Sequence, residues 1–166
     1  MIHESATAVL LLGSNIGDRA LLLSGARLLI ENEAGTIMFR SGLYETEAWG
    51  KTDQPPFLNQ ALIIQTELSP VLLLKSLLGI ETELGRTREV KWGQRTLDID
   101  ILYYNSDVIA SSDLKIPHPG LADRRFALVP LCELMPDYIH PVLNISNEEL
   151  LKRCKDTLEV KRLLEI

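Results

Sequence analysis

Short apolar runs alternate along the chain with longer segments whose apolar residues recur every three or four positions. A continuous apolar run over residues 8–12 predicts a buried strand, because it is followed at once by Gly13. Helical spacing of leucines then predicts a helix that begins at Asp18 and ends before Gly35. The chain therefore opens with a strand and a helix.

The middle of the chain predicts a hairpin and a second helix. Strand-forming residues occur within 36–46 and again within 58–68, and a polar loop rich in glycine and proline separates them. These two strands are expected to pair in antiparallel fashion. Ser69 and Pro70 are a helix cap and a first-turn proline, and the helix they begin is expected to end at Gly85.

One more strand completes the order of elements. Residues 98–109 read as a strand that turns near residue 106, so the order is βαββαβ. This order predicts an α+β fold of the ferredoxin-like type, an antiparallel sheet with two helices on one face. We expect Tyr103 to point with Ile99 and Ile101, since side chains alternate along a strand.

The last third of the chain predicts short helices. A helical stretch is expected near residues 127–134, and Ser146 and Glu149 form a capping box for a C-terminal helix. Residues 142–166 are therefore expected to form a charged helical tail. No repeat or low-complexity linker divides the sequence, which predicts a single domain over residues 1–166.

The composition narrows the classes of partner. Of the 166 residues 46% are hydrophobic and 24% charged, with a net charge of −6, which argues against general binding to nucleic acid or anionic membranes. Any phosphate binding must be local. The two cysteines, Cys132 and Cys154, have no evident partner, and no secretory signal is apparent, so we expect a cytoplasmic monomer.

Asp98 and Asp100 form the first candidate for chemistry. They are two residues apart in a predicted strand, so both carboxylates should point to the same face. Oxygen ligands of this kind suit Mg²⁺, which takes one or two carboxylates together with substrate phosphates. An isolated pair of this spacing is more often two solvated acids, so the pair alone does not establish a metal site.

The segment before these acids is basic in an otherwise acidic chain. Arg86, Arg88, Lys91 and Arg95 fall within ten residues, and guanidinium groups bind phosphate oxygens in a bidentate manner. Arginines followed by paired acids are what a magnesium-bound triphosphate requires. This combination favours phosphate and Mg²⁺ over a merely solvated loop.

Two further residues leave alternatives open. Trp92 lies within the basic loop, where an aromatic residue serves either as a hydrophobic anchor or as a plane on which a ring stacks. Glu81 lies beside the apolar stripe of the second helix. It could reach a ligand, although an exposed helical glutamate is the simpler interpretation.

Four sequence blocks together resemble one enzyme family. The blocks are GSNIGD, YETEAWGKTDQPPFLNQA, ELGRTREVKWGQRTLDIDIL and IPHPGLADRRFALVPL. Over residues 8–141 they are similar to the 6-hydroxymethyl-7,8-dihydropterin pyrophosphokinases, the HPPK family of folate biosynthesis. The resemblance implies transfer of pyrophosphate from ATP to the pterin hydroxymethyl group, with release of AMP, and it implies the ferredoxin-like fold.

The resemblance also implies roles for individual residues. Asp98 and Asp100 match the acid pair that binds two Mg²⁺ ions, and Arg86 and Arg95 match catalytic loop arginines. The implied ATP and phosphate contacts are Glu81, Arg86, Arg88, Trp92, Arg95, His118 and Arg124. The implied contacts of the pterin are Thr46, Trp49, Phe57, Asn59 and Phe126.

This sequence departs from the family pattern at two positions. Phe57 stands where the family often has tyrosine, so we expect stacking without a hydroxyl contact. Pro119 follows His118 at a position where other members can carry a different residue and a nucleotide contact. Two other functions stay open: a magnesium-dependent transferase with another acceptor, and a ferredoxin-like binding module without activity. The nucleotide product, AMP or ADP, distinguishes the two enzyme functions.

Overall fold

The computed structural model describes residues 4–47, 54–85 and 97–164, and within them an antiparallel sheet carries helices on both faces. The strands, in chain order, are β1 (Ala6–Ser14), β2 (Thr36–Arg40), β3 (Tyr44–Thr46), β4 (Phe57–Thr66), β5 (Asp98–Tyr104), β6 (Ile109–Ala110), β7 (Lys115–Ile116) and β8 (Val160–Arg162). The helices are α1 (Arg19–Glu33), α2 (Pro70–Glu83), α3 (Arg125–Leu134) and α4 (Asn147–Arg153), with a 3-10 turn at Leu121–Asp123. None of these described helices is long and apolar enough to span a bilayer.

The main sheet has six strands in the order β5-β1-β4-β3-β8, and β2 also pairs with β4. Every pairing is antiparallel, and the predicted hairpin is confirmed because both β2 and β3 pair with β4. The predicted strand over 36–46 is interrupted at Ser41. The Ser41 hydroxyl accepts a hydrogen bond from the Ala61 backbone N–H at 2.9 Å, which takes a β4 donor that a continuous strand would have used.

The helix starts agree with the capping residues found in the sequence. The side chain of Asp18 accepts a hydrogen bond from the Leu21 N–H, and that of Ser69 accepts one from the Leu72 N–H, so each satisfies a donor of the first turn. Pro70 occupies the first turn of α2, where its missing N–H costs nothing.

Two apolar clusters lie on opposite faces of the sheet. One face of β1, including Leu10 and Leu12, packs with α1 and α2, while Val9 and Leu11 of the same strand pack with α3 and α4. The two predicted helices do share one face. The prediction did not include the second layer, in which α3 packs against β4 and α4 packs on α3.

A bulge in β5 reverses one predicted side-chain direction. The register of β1 with β5 shifts between Val9 and Leu10, which inserts one extra residue into β5. Tyr103 therefore belongs to the cluster with Val9, and the prediction that it points with Ile99 is wrong. Its hydroxyl donates to Oδ1 of the fully buried Asn147 at 2.6 Å.

The C-terminal tail is only partly helical. Ser146 caps α4 as predicted, since its hydroxyl accepts from the Glu149 N–H at 3.1 Å, but the helix ends at Arg153. The chain then extends and forms β8, which pairs with β3. The prediction of a helix throughout the tail is wrong for this part. The edge of β3 has unpaired backbone groups, and the tail forms hydrogen bonds with them as an extended strand.

His140 makes part of the fold sensitive to pH. Its Nδ1 accepts hydrogen bonds from the backbone N–H groups of Val142 and Leu143, and burial lowers its pKa below the usual 6.5. Below about pH 6.5 the unfolded chain binds a proton that the folded imidazole does not. The free energy of unfolding should therefore fall as the pH drops from 7 to 5.

The variant His140→Asn should show a smaller fall over the same range, because the Asn oxygen can replace the Nδ1 acceptor without titrating. Denaturant unfolding of both proteins at pH 7 and pH 5 measures how much the free energy of unfolding falls in each. The contributions of the other titrating groups are the same in both proteins and cancel in the comparison. Equal pH dependence in the two proteins would contradict this account of His140.

Candidate active site

Three neighbouring strands bring an acid, a glycine and an amide into one row. Gly13 of β1 is paired with Asp98 of β5 on one side and with Asn59 of β4 on the other, and we call this the Asp98–Gly13–Asn59 row. Two strand spacings separate its ends, a backbone distance of about 10 Å. Glycine leaves room for the amide, because a Cβ at Gly13 would lie 2.5 Å from the Asn59 Nδ2 atom and would displace it.

Asp98 and Asp100 share the face of the sheet that α3 covers. The side chain of Ile99 between them is buried in the cluster with α1 and α2, so the alternation of the strand turns both acids the other way. Both acids are only half-buried. The arrangement presents two carboxylates to a partly open surface, as the spacing predicts.

Glu81 holds the strand that carries these acids. It is 4% exposed, and its Oε2 accepts a hydrogen bond from the Ile99 N–H at 2.7 Å. The simpler interpretation of an exposed glutamate is therefore wrong. The carboxylate ties α2 to β5 at the residue between the two acids, a role that helical spacing could not reveal.

His118 lies beside the acid pair. Its backbone N–H donates to the Leu102 carbonyl at 3.0 Å, and its Nδ1 accepts from the Gly120 N–H at 3.1 Å. Burial lowers the pKa of His118, while the charge of Asp100 acts to raise it and that of Arg124 to lower it. With Nδ1 accepting, the neutral ring carries its proton on Nε2, where it can donate to an anion.

Arg124 immediately precedes α3. Its guanidinium Cζ lies 5.9 Å from the centroid of the Phe126 ring, a cation–π contact. It also lies against the backbone of Gly120, where a Cβ would come within 2.8 Å of Nε. His118, Asp100 and Arg124 thus form one cluster of charged and polar groups.

Two buried polar side chains lack partners among the described residues. Both Thr46 Oγ1 and Asn59 Oδ1 are shielded from solvent without a hydrogen bond, although Asn59 Nδ2 donates to the Leu12 carbonyl at 3.2 Å. The register of β3 with β4 places them on one face, together with Phe57. Buried groups of this kind usually have a partner, so their arrangement suits a ligand with polar groups on its edge.

Phe57 and Phe126 add apolar surface to this face. Each ring is half-buried, and Phe126 lies in the first turn of α3, packed against the cluster that contains Leu11. Phe126 is therefore not a fully buried core residue. Its ring is accessible from the same side of the sheet as the unpartnered oxygens of Thr46 and Asn59.

A cleft adjoins the acid pair at the outer edge of β5. It has a volume of about 260 Å³ and combines aliphatic side chains with a few polar groups at its rim. Its lining residues are Leu74, Ile99, Asp100, Ile101, Ser112, Asp113, Leu114, Lys115, His118 and Pro119. Leu74 of α2 and residues 112–115 were not predicted, because only folding brings them to β5.

Polar contacts also hold the chain that leads into β4, and the residues that make them were assigned no role from the sequence. Nδ2 of Asn15 donates to Oε1 of Gln54 and to the Pro55 carbonyl, both at 3.2 Å. Arg19 donates to the Pro56 carbonyl at 2.9 Å and forms an ion pair with Glu45 at 2.8 Å. The GSNIGD block, which contains Asn15, was the available signal.

Five of the predicted site residues lie outside the described residues. They are Trp49, Arg86, Arg88, Trp92 and Arg95. Their predicted roles therefore stay predictions. The other predicted residues all lie on β3, β4, α2, β5 or the segment from His118 to Phe126.

Comparisons with known proteins agree on one family. Residues 9–136 match the family model described as 7,8-dihydro-6-hydroxymethylpterin-pyrophosphokinase (HPPK). The chain is 47% identical to the 2-amino-4-hydroxy-6-hydroxymethyldihydropteridine pyrophosphokinase of Methylorubrum extorquens, over 80% of this chain and 84% of that protein. It is 48% identical to the enzyme of the same name from Bacillus subtilis, over 76% of this chain and 77% of that protein.

A solved structure agrees on the fold. The crystal structure of a Plasmodium falciparum HPPK-DHPS triple mutant superposes with a TM-score of 0.73 at 21% identity. The match covers 91% of this chain and 44% of that one, so this chain spans less than half of the solved protein.

The contact of Glu81 with β5 predicts a specific loss of stability. Glu81→Ala should lower the free energy of unfolding by about 1–3 kcal/mol, because the buried Ile99 N–H would lose its acceptor. Glu83→Ala removes an exposed acid from the same helix and should change it by less than about 0.5 kcal/mol. Denaturant unfolding compares the two variants, and equal losses would rule out the proposed role of the Glu81 contact.

Proposed function

The chain belongs to the HPPK family and is an ATP-dependent pyrophosphokinase, and we propose that the Asp98–Gly13–Asn59 row joins its two substrate subsites. The family's reaction is the transfer of pyrophosphate from ATP to 6-hydroxymethyl-7,8-dihydropterin in folate biosynthesis. The observation that carries the proposal is the register of β5, β1 and β4. It puts Asp98, the first of the paired acids, about two strand spacings from an amide with an unpartnered buried oxygen.

The pterin occupies the Asn59 end of the row in this proposal. Its ring carries hydrogen-bond donors and acceptors on its edge, and Asn59 Oδ1 and Thr46 Oγ1 are the buried groups that need partners. The half-buried rings of Phe57 and Phe126 supply apolar faces for a flat ligand. Trp49 is proposed as a further wall of this subsite.

ATP occupies the Asp98 end and the adjoining cleft. The aliphatic lining that includes Leu74, Ile101 and Leu114 suits a nucleotide base, and the cleft reaches Asp100 and His118. We propose that the Nε2–H of His118 and the guanidinium of Arg124 hold phosphate oxygens, which their proximity to Asp100 supports. The predicted loop residues would complete the phosphate site, and they are Arg86, Arg88, Trp92 and Arg95.

The residues present fit a magnesium site. Asp98 and Asp100 offer carboxylate oxygens on one face, and the described residues include no cluster of three or more His, Cys, Asp or Glu side chains suited to a metal. This donor set suits Mg²⁺, which retains waters and binds substrate phosphates, better than it suits zinc. We propose that the pair holds two Mg²⁺ ions, whose charge would neutralise the triphosphate.

The protein's contribution to the reaction is then mainly positioning. The pterin hydroxyl oxygen forms a bond to the β-phosphorus of ATP, the bond from that phosphorus to the bridging oxygen of AMP breaks, and the hydroxyl proton is released. Asn59 and Thr46 hold the acceptor, while His118 and Arg124 hold the phosphates. Such alignment and charge stabilisation account for most of the catalysis in phosphoryl transfer.

The remaining proposals concern organisation. The sheet, with β1 and β4 central and β5 at one edge, supports a ferredoxin-like plan in which β2 and β3 together form one strand. We propose one pyrophosphokinase domain over residues 1–166 that acts as a monomer on small molecules. Its net charge of −6 argues against nucleic-acid partners, and the free thiols of Cys132 and Cys154 support a cytoplasmic location.

A product assay tests the proposed function. Purified protein is incubated with ATP, MgCl₂ and 6-hydroxymethyl-7,8-dihydropterin, and the nucleotides are separated by chromatography. The expected product is AMP that forms only with pterin and disappears with EDTA. ADP would indicate phosphoryl transfer instead, and absence of turnover would overturn the proposal.

The same assay tests the acid pair. Asp98→Ala and Asp100→Ala should each lower turnover at least about a hundredfold, because each removes preorganised charge stabilisation at the reacting phosphates. Asp137→Ala removes an exposed acid beyond α3 and should leave turnover unchanged. Circular dichroism checks that each variant is folded, and full activity in either Asp98→Ala or Asp100→Ala would contradict the assignment.

A further inference from the structure

The C-terminal segment after α4 folds back onto the elements that carry the pterin subsite. We call residues 154–162 the C-terminal strap. It lies beyond the family match, which ends at residue 136, and none of the roles described above involves it. It nevertheless contacts both α3 and β3.

Asp156 makes the contact with α3. Its Oδ2 accepts a hydrogen bond from the Arg125 N–H and its Oδ1 accepts one from the Leu158 N–H, both at 3.1 Å. The residue at the N-cap position of α3, Arg124, has no side-chain capping hydrogen bond of its own. The strap therefore supplies from a distant part of the chain an acceptor for the first turn of α3.

The rest of the strap secures it against β3. β8 is paired with β3 so that Val160 is opposite Thr46 and Arg162 is opposite Tyr44. The Arg162 guanidinium lies 3.6 Å from Oε1 of Glu133 on α3, and that oxygen accepts from the Tyr44 hydroxyl at 2.6 Å. These contacts link β8, β3 and α3 into one unit.

Two residues of the pterin subsite are therefore adjacent to strap contacts. Thr46 is paired with Val160 of the strap. Phe126 directly follows Arg125, whose N–H donates a hydrogen bond to Asp156. Arg124, which precedes that N–H, contacts the Phe126 ring. Phe126 lies in the first turn of α3, so a loss of order in that turn would displace its ring.

We infer that Asp156 is a positioning residue for pterin binding, which caps α3 and so sets the place of the Phe126 ring. The inference rests on the proposed function, because it takes Phe126 as a wall of the pterin subsite. Asp156 itself does not touch the substrate. Its effect should therefore appear in the binding of pterin and not in the chemical step.

The test compares Asp156→Ala with Glu159→Ala, which removes an exposed acid from the same strap. Steady-state AMP formation is measured at varied pterin and saturating ATP, and amide hydrogen exchange is followed over residues 125–128. Asp156→Ala should raise the KM for pterin about fivefold, the scale of one lost helix cap, with kcat changed less than twofold. Exchange over residues 125–128 should become faster, and Glu159→Ala should match the unmodified protein.

Unchanged exchange over residues 125–128 in Asp156→Ala would overturn the inference whatever the activity. An unchanged KM, or equal effects of Asp156→Ala and Glu159→Ala, would overturn it as well. If Asp156→Ala does not fold, the same measurements are made on Asp156→Asn, which keeps one acceptor oxygen. The KM for pterin of that variant should rise about twofold. Absence of AMP from the unmodified protein would instead overturn the proposed function.

Discussion

Burial of one face of β1, β4 and β5 against α1 and α2 is the constraint on which the rest of the structure depends. Leu10, Leu62 and Ile99 lie on this face and are at most 5% exposed. Because side chains alternate, a slip of one residue in β5 would bury Asp98 and Asp100 in this core and expose aliphatic residues instead. The apolar face therefore sets the register, and the register brings Asp98 and Asn59 to opposite ends of one row.

The face of the sheet that α3 covers carries the candidate site. Buried contacts hold its backbone in place, but some of its polar side chains have no hydrogen-bond partner among the described residues. From α2 on the other face, Glu81 accepts a hydrogen bond from the β5 backbone at Ile99, and Asp156 accepts one from the first turn of α3. The oxygens of Thr46 and Asn59 nevertheless stay buried without partners among the described residues, at a cost of about 1–3 kcal/mol each. A fold that keeps such groups unpaired sacrifices stability for a preorganised polar surface, which a ligand with complementary edges would satisfy.

Local patterns predicted the elements well because their causes are local. Caps at Asp18 and Ser69 and the alternation around Ile99 depend on residues close in sequence, and the structure agrees with them. Burial of Glu81, the bulge before Tyr103 and the strand within the tail depend on partners far along the chain. Hydrophobic periodicity carries no information about such distant partners. The resemblance to a family supplied most of the candidate site residues, whereas the contacts that support them appear only in the fold.

The proposed function depends most directly on binding of the metal–triphosphate complex at Asp98 and Asp100. Mn²⁺ accepts the same oxygen ligands as Mg²⁺ and broadens the NMR signals of nearby amides, so it reports the site directly. With ¹⁵N-labelled protein and a non-hydrolysable ATP analogue, we expect the strongest broadening at residues 98–100 and at His118, reversed by excess Mg²⁺. Strongest broadening elsewhere, or broadening that Mg²⁺ does not reverse, would contradict the assignment of the acid pair.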